Sequence, residues 1–364
     1  MVTPMGSNPA EVLQQILAGA SAAASPIGFD ASAFACPVCA QVRDFAPQRY
    51  ASEAKLVRLM NRDAQLAVAA ARLALEDAGV KPGTTYPPED IALFGATGLA
   101  GLPVREVEPL LRASAGAEGE FDLTRFGQAG LRAVSPILSF KILSNMPFCF
   151  VSINENIQGS NGIYTPWEGE GAQAVEAGIR AVQAGEARCA LVGGCDVKTH
   201  ELAFASLQQQ GLFSSWRKTG NGVVPGEGAA FLVLETEEDA LAREAQLYGR
   251  LSAFRMRPHC SGEDMDQIRV GVLNRLNIHE AEMFVSSANG DEGRDQQETS
   301  ILAAARISVG KSICPKKHVG DLYAAAALLQ LAMAATLTGA GATTVLAHCF
   351  GHGRTQAAFV LEKA

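Results

Sequence analysis

The chain has 364 residues, 48% apolar, 19% charged and 6% aromatic, enough apolar material for a large buried core and far from a disordered composition. Thirty Lys plus Arg against 38 Asp plus Glu leave a net charge of -8, which offers no electrostatic footprint for nucleic acid. No basic, apolar leader opens the sequence, and the 8 unevenly spaced cysteines do not suggest a disulfide scaffold, so a cytoplasmic setting is expected.

Along the chain, residues 9 to 18 read as a first helix with Asn8 as its cap. A second helix is expected from about Ser52 to Ala78, where Leu56, Leu59, Met60, Leu66, Ala69 and Leu73 recur at helical spacing and Gly79 ends the run. A buried strand from Ile91 enters a Gly-rich turn; then follow a helix near 171 to 185, strands at Cys189, Ala229 and Met283, a helix near 321 to 337 and a strand at Thr344. The uncharged stretch Leu322 to Ala347 is long enough to imitate a membrane span, but Gln330 and the Thr338 to Thr344 run break it. It reads as an Ala-rich buried helix, a Gly turn and a buried strand, so no membrane partner is expected. Strands alternating with helices, apolar throughout rather than at every second residue, imply α/β sheets covered on both faces. The weak seam at Glu235 to Glu244 suggests one unit, 1 to 364, with approximate halves 1 to 240 and 241 to 364.

Cys36 and Cys39 have CxxC spacing without a second pair at zinc-site distance, and of the six histidines only His348 and His352 stand at i,i+4, on a strand and the Gly-rich loop after it rather than on one face of a helix. No metal and no cofactor are expected. Gly226-Glu-Gly leads into a strand and lacks a following Lys, so it is a close backbone approach rather than a phosphate loop.

Asn145-Met-Pro, Ala187-Arg-Cys-Ala-Leu-Val-Gly-Gly-Cys-Asp, Gly226-Glu-Gly-Ala-Ala-Phe-Leu-Val-Leu-Glu and Phe350-Gly-His-Gly-Arg-Thr-Gln occur in the order and approximate spacing seen in β-ketoacyl-acyl carrier protein synthases. The chain resembles that family from Thr3 to Leu361, which implies the thiolase-like five-layered αβαβα fold with two similar halves. In the family a Cys at the start of a buried helix takes the acyl chain, its thiolate favoured by the helix dipole. The resemblance puts Glu168 at that position. It puts Asn289 at the first catalytic His, within a turn about two residues short and without the Thr pair that contacts phosphopantetheine. Asp321 stands at the second His, while Lys316 of the preceding Lys motif is retained. An amide and a carboxylate stabilise an enolate poorly where two imidazoles would serve.

Glu168 is expected chiefly as a carboxylate capping the following helix, with a repurposed acid or base as the alternative. Asn289 and Asp321 are expected to fill the imidazole space with hydrogen bonds, and Lys316 to pair with Asp321 or Glu168. Phe350 and His352 fall on the family's gating loop, and Leu99, Leu102, Val104 and Val107 on the region that reaches toward a neighbour's acyl pocket. The family's dimer strand corresponds to Cys149 to Tyr164. Where the family has its first strand, only Met1-Val2 precede Thr3-Pro-Met-Gly, which implies either a start upstream or a lost edge element. Family chains without the Cys include chain-length factors, the β subunits of type II polyketide and aryl-polyene systems, although Glu168 departs from their usual Gln. The resemblance therefore implies a non-catalytic subunit that pairs with a catalytic ketosynthase α subunit as a heterodimer and meets acyl carrier protein through the complex. The competing readings are a free-standing enzyme hydrolysing or decarboxylating acyl thioesters at Glu168, and a homodimeric binding protein.

Overall fold

A computed structural model describes residues 1 to 364 except Ala100, His352 and Arg354. The first of two sheets holds β1 (Ile91–Thr97), β2 (Asn161–Tyr164), β3 (Cys189–Val197) and β4 (Glu227–Glu235), in the order β2-β1-β3-β4. The second holds β5 (Arg250–Pro258), β6 (Glu280–Val285), β7 (Ser308–Ile313), β8 (Thr344–Phe350) and β9 (Thr355–Glu362), in the order β5-β9-β8-β6-β7. In each sheet a parallel set is joined by an antiparallel strand, β4 on β3 and β9 on β8.

Every residue of β1 and β3 is buried, as apolar strands covered on both faces require. Gly95 and Gly193 have a packing role here: a Cβ on Gly95 would lie 1.7 Å from the Phe148 ring, and one on Gly193 2.1 Å from Phe231. The helices Arg62–Asp77 and Met146–Glu155 cover the outer face of the first sheet. Glu168–Gln183 and Ala326–Gly339 fill the space between the sheets, and Met265–Asn274 and Glu292–Ala305 cover the second sheet. The result is the five-layered thiolase-like αβαβα arrangement.

Asn8 caps the first helix, Pro9–Leu17, by accepting from the Ala10 and Glu11 amides. The long helix expected from Ser52 is shorter. Asn61 has an extended backbone and accepts from the Ala64 amide at 2.9 Å, so the helix starts at Arg62, and only a 3-10 turn at Leu56–Arg58 precedes it. Capping overrides the apolar spacing. The helix expected near 321 begins at Ala326, after a 3-10 turn Tyr323–Ala325, and ends at Gly339, shortly before Gly341 at φ +110°. Among the described residues no helix is long and apolar enough to cross a membrane. The region Cys149 to Tyr164 is helix up to Glu155 and strand only at Asn161–Tyr164. Val2 meets β4 through a single antiparallel bridge to Ala229.

Candidate functional site

The carboxyl ends of β6, β7 and β8 face the amino end of the helix Glu168–Gln183, and a buried polar cluster occupies the junction. β6 delivers Ser286 and Ser287 just past its last residue, the short helix Pro315–Val319 after β7 supplies Lys316, and β8 ends at Phe350. Lys316 Nζ lies 2.6 Å from Glu168 Oε2, with 1% of the lysine and 2% of the glutamate residue exposed. Ser287 Oγ accepts from Lys316 at 3.1 Å and from the Phe350 amide at 3.1 Å, and its hydroxyl faces Glu168 Oε1 at 3.0 Å and the Phe350 carbonyl at 3.2 Å.

Glu168 therefore does not cap its helix. Its carboxylate turns to Lys316 and Ser287, and the capping bond comes from Glu170, which accepts from the Trp167 amide at 3.1 Å. A buried ammonium within reach stabilises a buried carboxylate more than a helix dipole of ~0.3 to 1 kcal/mol. Burial raises the Glu168 carboxyl, against the pull of Lys316. Burial also opposes charge on Lys316, but Glu168 and Asp321 outweigh it and hold the ammonium above the ordinary lysine range. Lys316 thus keeps its proton and cannot act as a base toward Ser287.

Asn289 and Asp321 form a second pair. The Asn289 amide donates to Asp321 Oδ2 at 2.9 Å, the Tyr323 amide donates to Asp321 Oδ1 at 2.9 Å, and Asp291 N–H donates to Asn289 Oδ1 at 3.2 Å. Asp321 is also tied through its backbone, its N–H donating to the Val224 carbonyl and its carbonyl accepting from Gly226. This explains the glycine at 226: a Cβ there would lie 3.1 Å from the Asp321 carbonyl oxygen.

Behind the cluster lies a triad the motifs did not single out. Glu298 accepts from the Ser287 amide at 2.8 Å, faces His348 Nδ1 at 2.9 Å, and is bonded by the Ser286 hydroxyl. Burial pushes the Glu298 carboxyl up, yet the bonds from His348 and the two serines prevail and hold it below its usual range. The polar Ser-Ser step at the end of an apolar strand was the available signal for this triad.

Space around the cluster is small. The cavity that touches Ser287, bounded also by Arg269, Arg294, Gln297 and Phe350, holds about 10 Å³, room for one water. Gly351 lies directly on the glutamate; a Cβ there would be 2.4 Å from Glu168 Cβ. Phe350 stacks on His348 with centroids 4.2 Å apart and sits under Arg269. His352 lies outside the described residues.

The remaining candidates do not share one environment. Leu99 is 66% exposed while Leu102 is 4% exposed, and Val104 and Val107 are half-buried on the helix Val104–Ala113. Cys36 and Cys39 are buried thiols pushed up by burial to about 11 and about 12. Among the described residues, ten of the fourteen exposed large apolar side chains fall between Leu99 and Ile153, including Phe121, Leu123, Phe140 and Ile142. That concentration exceeds the scattered exposure normal for a monomer.

The profile described as "Beta-ketoacyl synthase, N-terminal domain" matches residues 1–240. A tetracenomycin polyketide synthase ketoacyl synthase beta subunit from Streptomyces glaucescens is 25% identical over 354 residues, covering 92% of this chain and 82% of that one. A 3-oxoacyl-[acyl-carrier-protein] synthase 2 from Coxiella burnetii is 27% identical over 269 residues, covering 70% of this chain and 61% of its own length, so the match spans about three-fifths of that relative. Among solved structures, one titled "The ishigamide ketosynthase/chain length factor" aligns with a TM-score of 0.82 at 20% identity, over 100% of this chain and 97% of that one. A type II acyl-carrier protein–ketosynthase complex aligns at 0.78 and 14% identity, over 100% and 97%. At these identities the structural likeness shows the fold alone.

Proposed function

The chain belongs to the β-ketoacyl synthase family, and from that premise we propose that it is a non-catalytic β subunit, a chain-length factor that pairs with a Cys-containing ketosynthase. The observation that carries this reading is the sealed Glu168–Lys316 pair. If Glu168 stands where the family has its nucleophile, the position holds a carboxylate already neutralised by an ammonium, beside a space for one water. Asn289 and Asp321 would replace the two imidazoles with a mutual hydrogen bond. Such a centre neither forms a thioester nor stabilises an enolate.

The exposed apolar side chains between Leu99 and Ile153 supply the other half of the reading, since obligate interfaces bury ~2,000 Å2 or more of largely apolar surface. The beta-subunit relative and the ketosynthase/chain length factor structure support the same assignment. In this reading the complex meets acyl carrier protein, works in the cytoplasm, and Leu102 with its neighbours shapes a cavity for the partner's growing chain.

The test is co-expression with a Cys-containing ketosynthase, followed by size exclusion and intact mass measurement after exposure to an acyl carrier protein thioester. A one-to-one complex acylated only on the partner is expected. A stable homodimer that ignores the ketosynthase, or isolated protein whose thioester turnover falls on Glu168→Gln, would overturn the proposal.

A further inference from the structure

The two sheets end differently at one edge. In the second sheet β5 pairs antiparallel with β9 and closes that edge. In the first sheet β4 follows β3 antiparallel, as β9 follows β8, but its far side meets Ala40 and Val2 at Glu227 and Ala229, and among the described residues no strand pairs with it further on. Glu227 donates to the Ala40 carbonyl at 3.1 Å, and Ala229 exchanges both backbone bonds with Val2, at 2.7 and 2.9 Å. The β3–β4 register runs unbroken from Glu227 to Glu235, so strand alternation turns the N–H and C=O groups of Phe231, Val233 and Glu235 the same way, outward. They open into a cavity of about 760 Å³ between β4 and β5.

We propose that this cavity is a strand-docking slot: an extended, uncharged segment of a partner protein, apolar at every second residue, adds to the Phe231–Glu235 edge of β4 and runs antiparallel to it. The direction is the one Val2 already takes at the near end of the strand. The outward backbone groups recur at every second residue, roughly 6.8 Å apart, which is the repeat of an extended chain. A ligand without that repeat leaves the row of amides and carbonyls unpaired, at a cost that disfavours it.

The walls define the side chains. Leu232 and Leu234 face the central layer, where Ile179, Val182 and Leu331 line the slot, and Phe231 and Val233 face the outer layer, where Ala74 and Ala78 line it. Alternate residues of the incoming segment therefore meet aliphatic surface. The charges at the rim are matched among themselves, Glu176 with Arg180, Glu235 with Arg243 and Glu237 with Arg250, so complementarity calls for a neutral segment. A second copy of this chain does not fit, because its own β4 edge is recessed behind the same walls. The slot contains none of the residues on which the chain-length reading rests, so its failure leaves that reading untouched.

The experiment follows amide hydrogen exchange along β4 by NMR in the full chain, alone and with a capped hexapeptide of alternating valine and threonine. Alone, the Val233 and Glu235 amides should exchange faster than those of Leu232 and Leu234, which face β3. With the peptide at ten times its Kd, the Val233 and Glu235 amides should slow by about tenfold, while the two leucine amides stay as they were. The same peptide N-methylated at every residue should protect nothing, and Ile179→Trp, which fills the slot, should abolish protection by the parent peptide. Val233 and Glu235 amides as slow as the leucine amides in the free protein would overturn the slot, as would no protection at millimolar peptide or protection that survives methylation or Ile179→Trp. The methylated peptide decides the matter even if the variant does not fold.

Discussion

Lys316 and Glu168 face each other 2.6 Å apart, 148 residues distant in sequence and both closed off from solvent. The two form a buried ion pair with each other. Lys316→Met should therefore leave a buried carboxylate uncompensated and destabilise the protein by about 3 to 5 kcal/mol. The double variant Lys316→Met with Glu168→Leu should recover most of that loss. Denaturant titration of the three proteins, compared at equal slope, measures it; a Lys316→Met protein as stable as the parent would mean the pair contributes nothing.

Restoring the thiol alone should not restore condensation. Glu168→Cys places a sulfur beside the Lys316 ammonium, which favours the thiolate. The groups at Asn289 and Asp321 are nevertheless bonded to each other and offer no imidazole for the enolate, and catalytic groups of this kind are strongly non-additive. The expected result is at most an acyl adduct by intact mass, with no extended product on chromatography.

Interface variants should act on assembly rather than folding. Leu123 is 74% exposed and Phe140 50% exposed, so Leu123→Glu and Phe140→Glu cost little in the isolated chain. If this surface meets a ketosynthase, each should weaken the complex by roughly tenfold or more, through faster dissociation. Surface plasmon resonance against the partner, beside a thermal melt of the chain alone, separates the two effects. Leu102→Ala and Leu102→Trp should shift the partner's product length in opposite senses.

His200 sets an acid limit on stability. Burial, followed by the charge of Lys198, lowers its folded value to about 4 from 6.5, so between these values only the unfolded chain binds its proton. Stability contributed by neutral His200 is present above pH 6.5 and is lost as pH falls through about 4, up to about 3 kcal/mol in all. His200→Gln should flatten the stability profile across that window, as read from urea midpoints at successive pH values.

What could be read from the sequence was what depends on local chemistry. The strands at Ile91 and Cys189 announce themselves through uninterrupted apolar and small residues, and the cap at Asn8 through its side chain. The start of the second helix was misjudged because Leu56, Leu59 and Met60 keep helical spacing up to Asn61, and spacing carries no record of which backbone amide an asparagine accepts from. β5 and β7 are short of apolar signal, with half or more of their residues partly or fully exposed. That Lys316 would pair with Glu168 or Asp321 could be named in advance, yet the choice of Glu168, and the difference between exposed Leu99 and buried Leu102, exist only once distant segments meet.

That distance has a kinetic meaning. Asp321 joins Asn289 and the backbone at Val224 and Gly226, and Lys316 joins Glu168 across the two sheets, so these contacts close loops of great length and reward the chain only after both sheets have docked. An ammonium and a carboxylate give up their water reluctantly before each has the other, which makes the junction a late step in folding and the first to yield on the way out. Substitutions there should accelerate unfolding while leaving the folding rate nearly unchanged. The lifetime of the assembled protein, more than the speed with which it forms, is thus set at the seam between its halves.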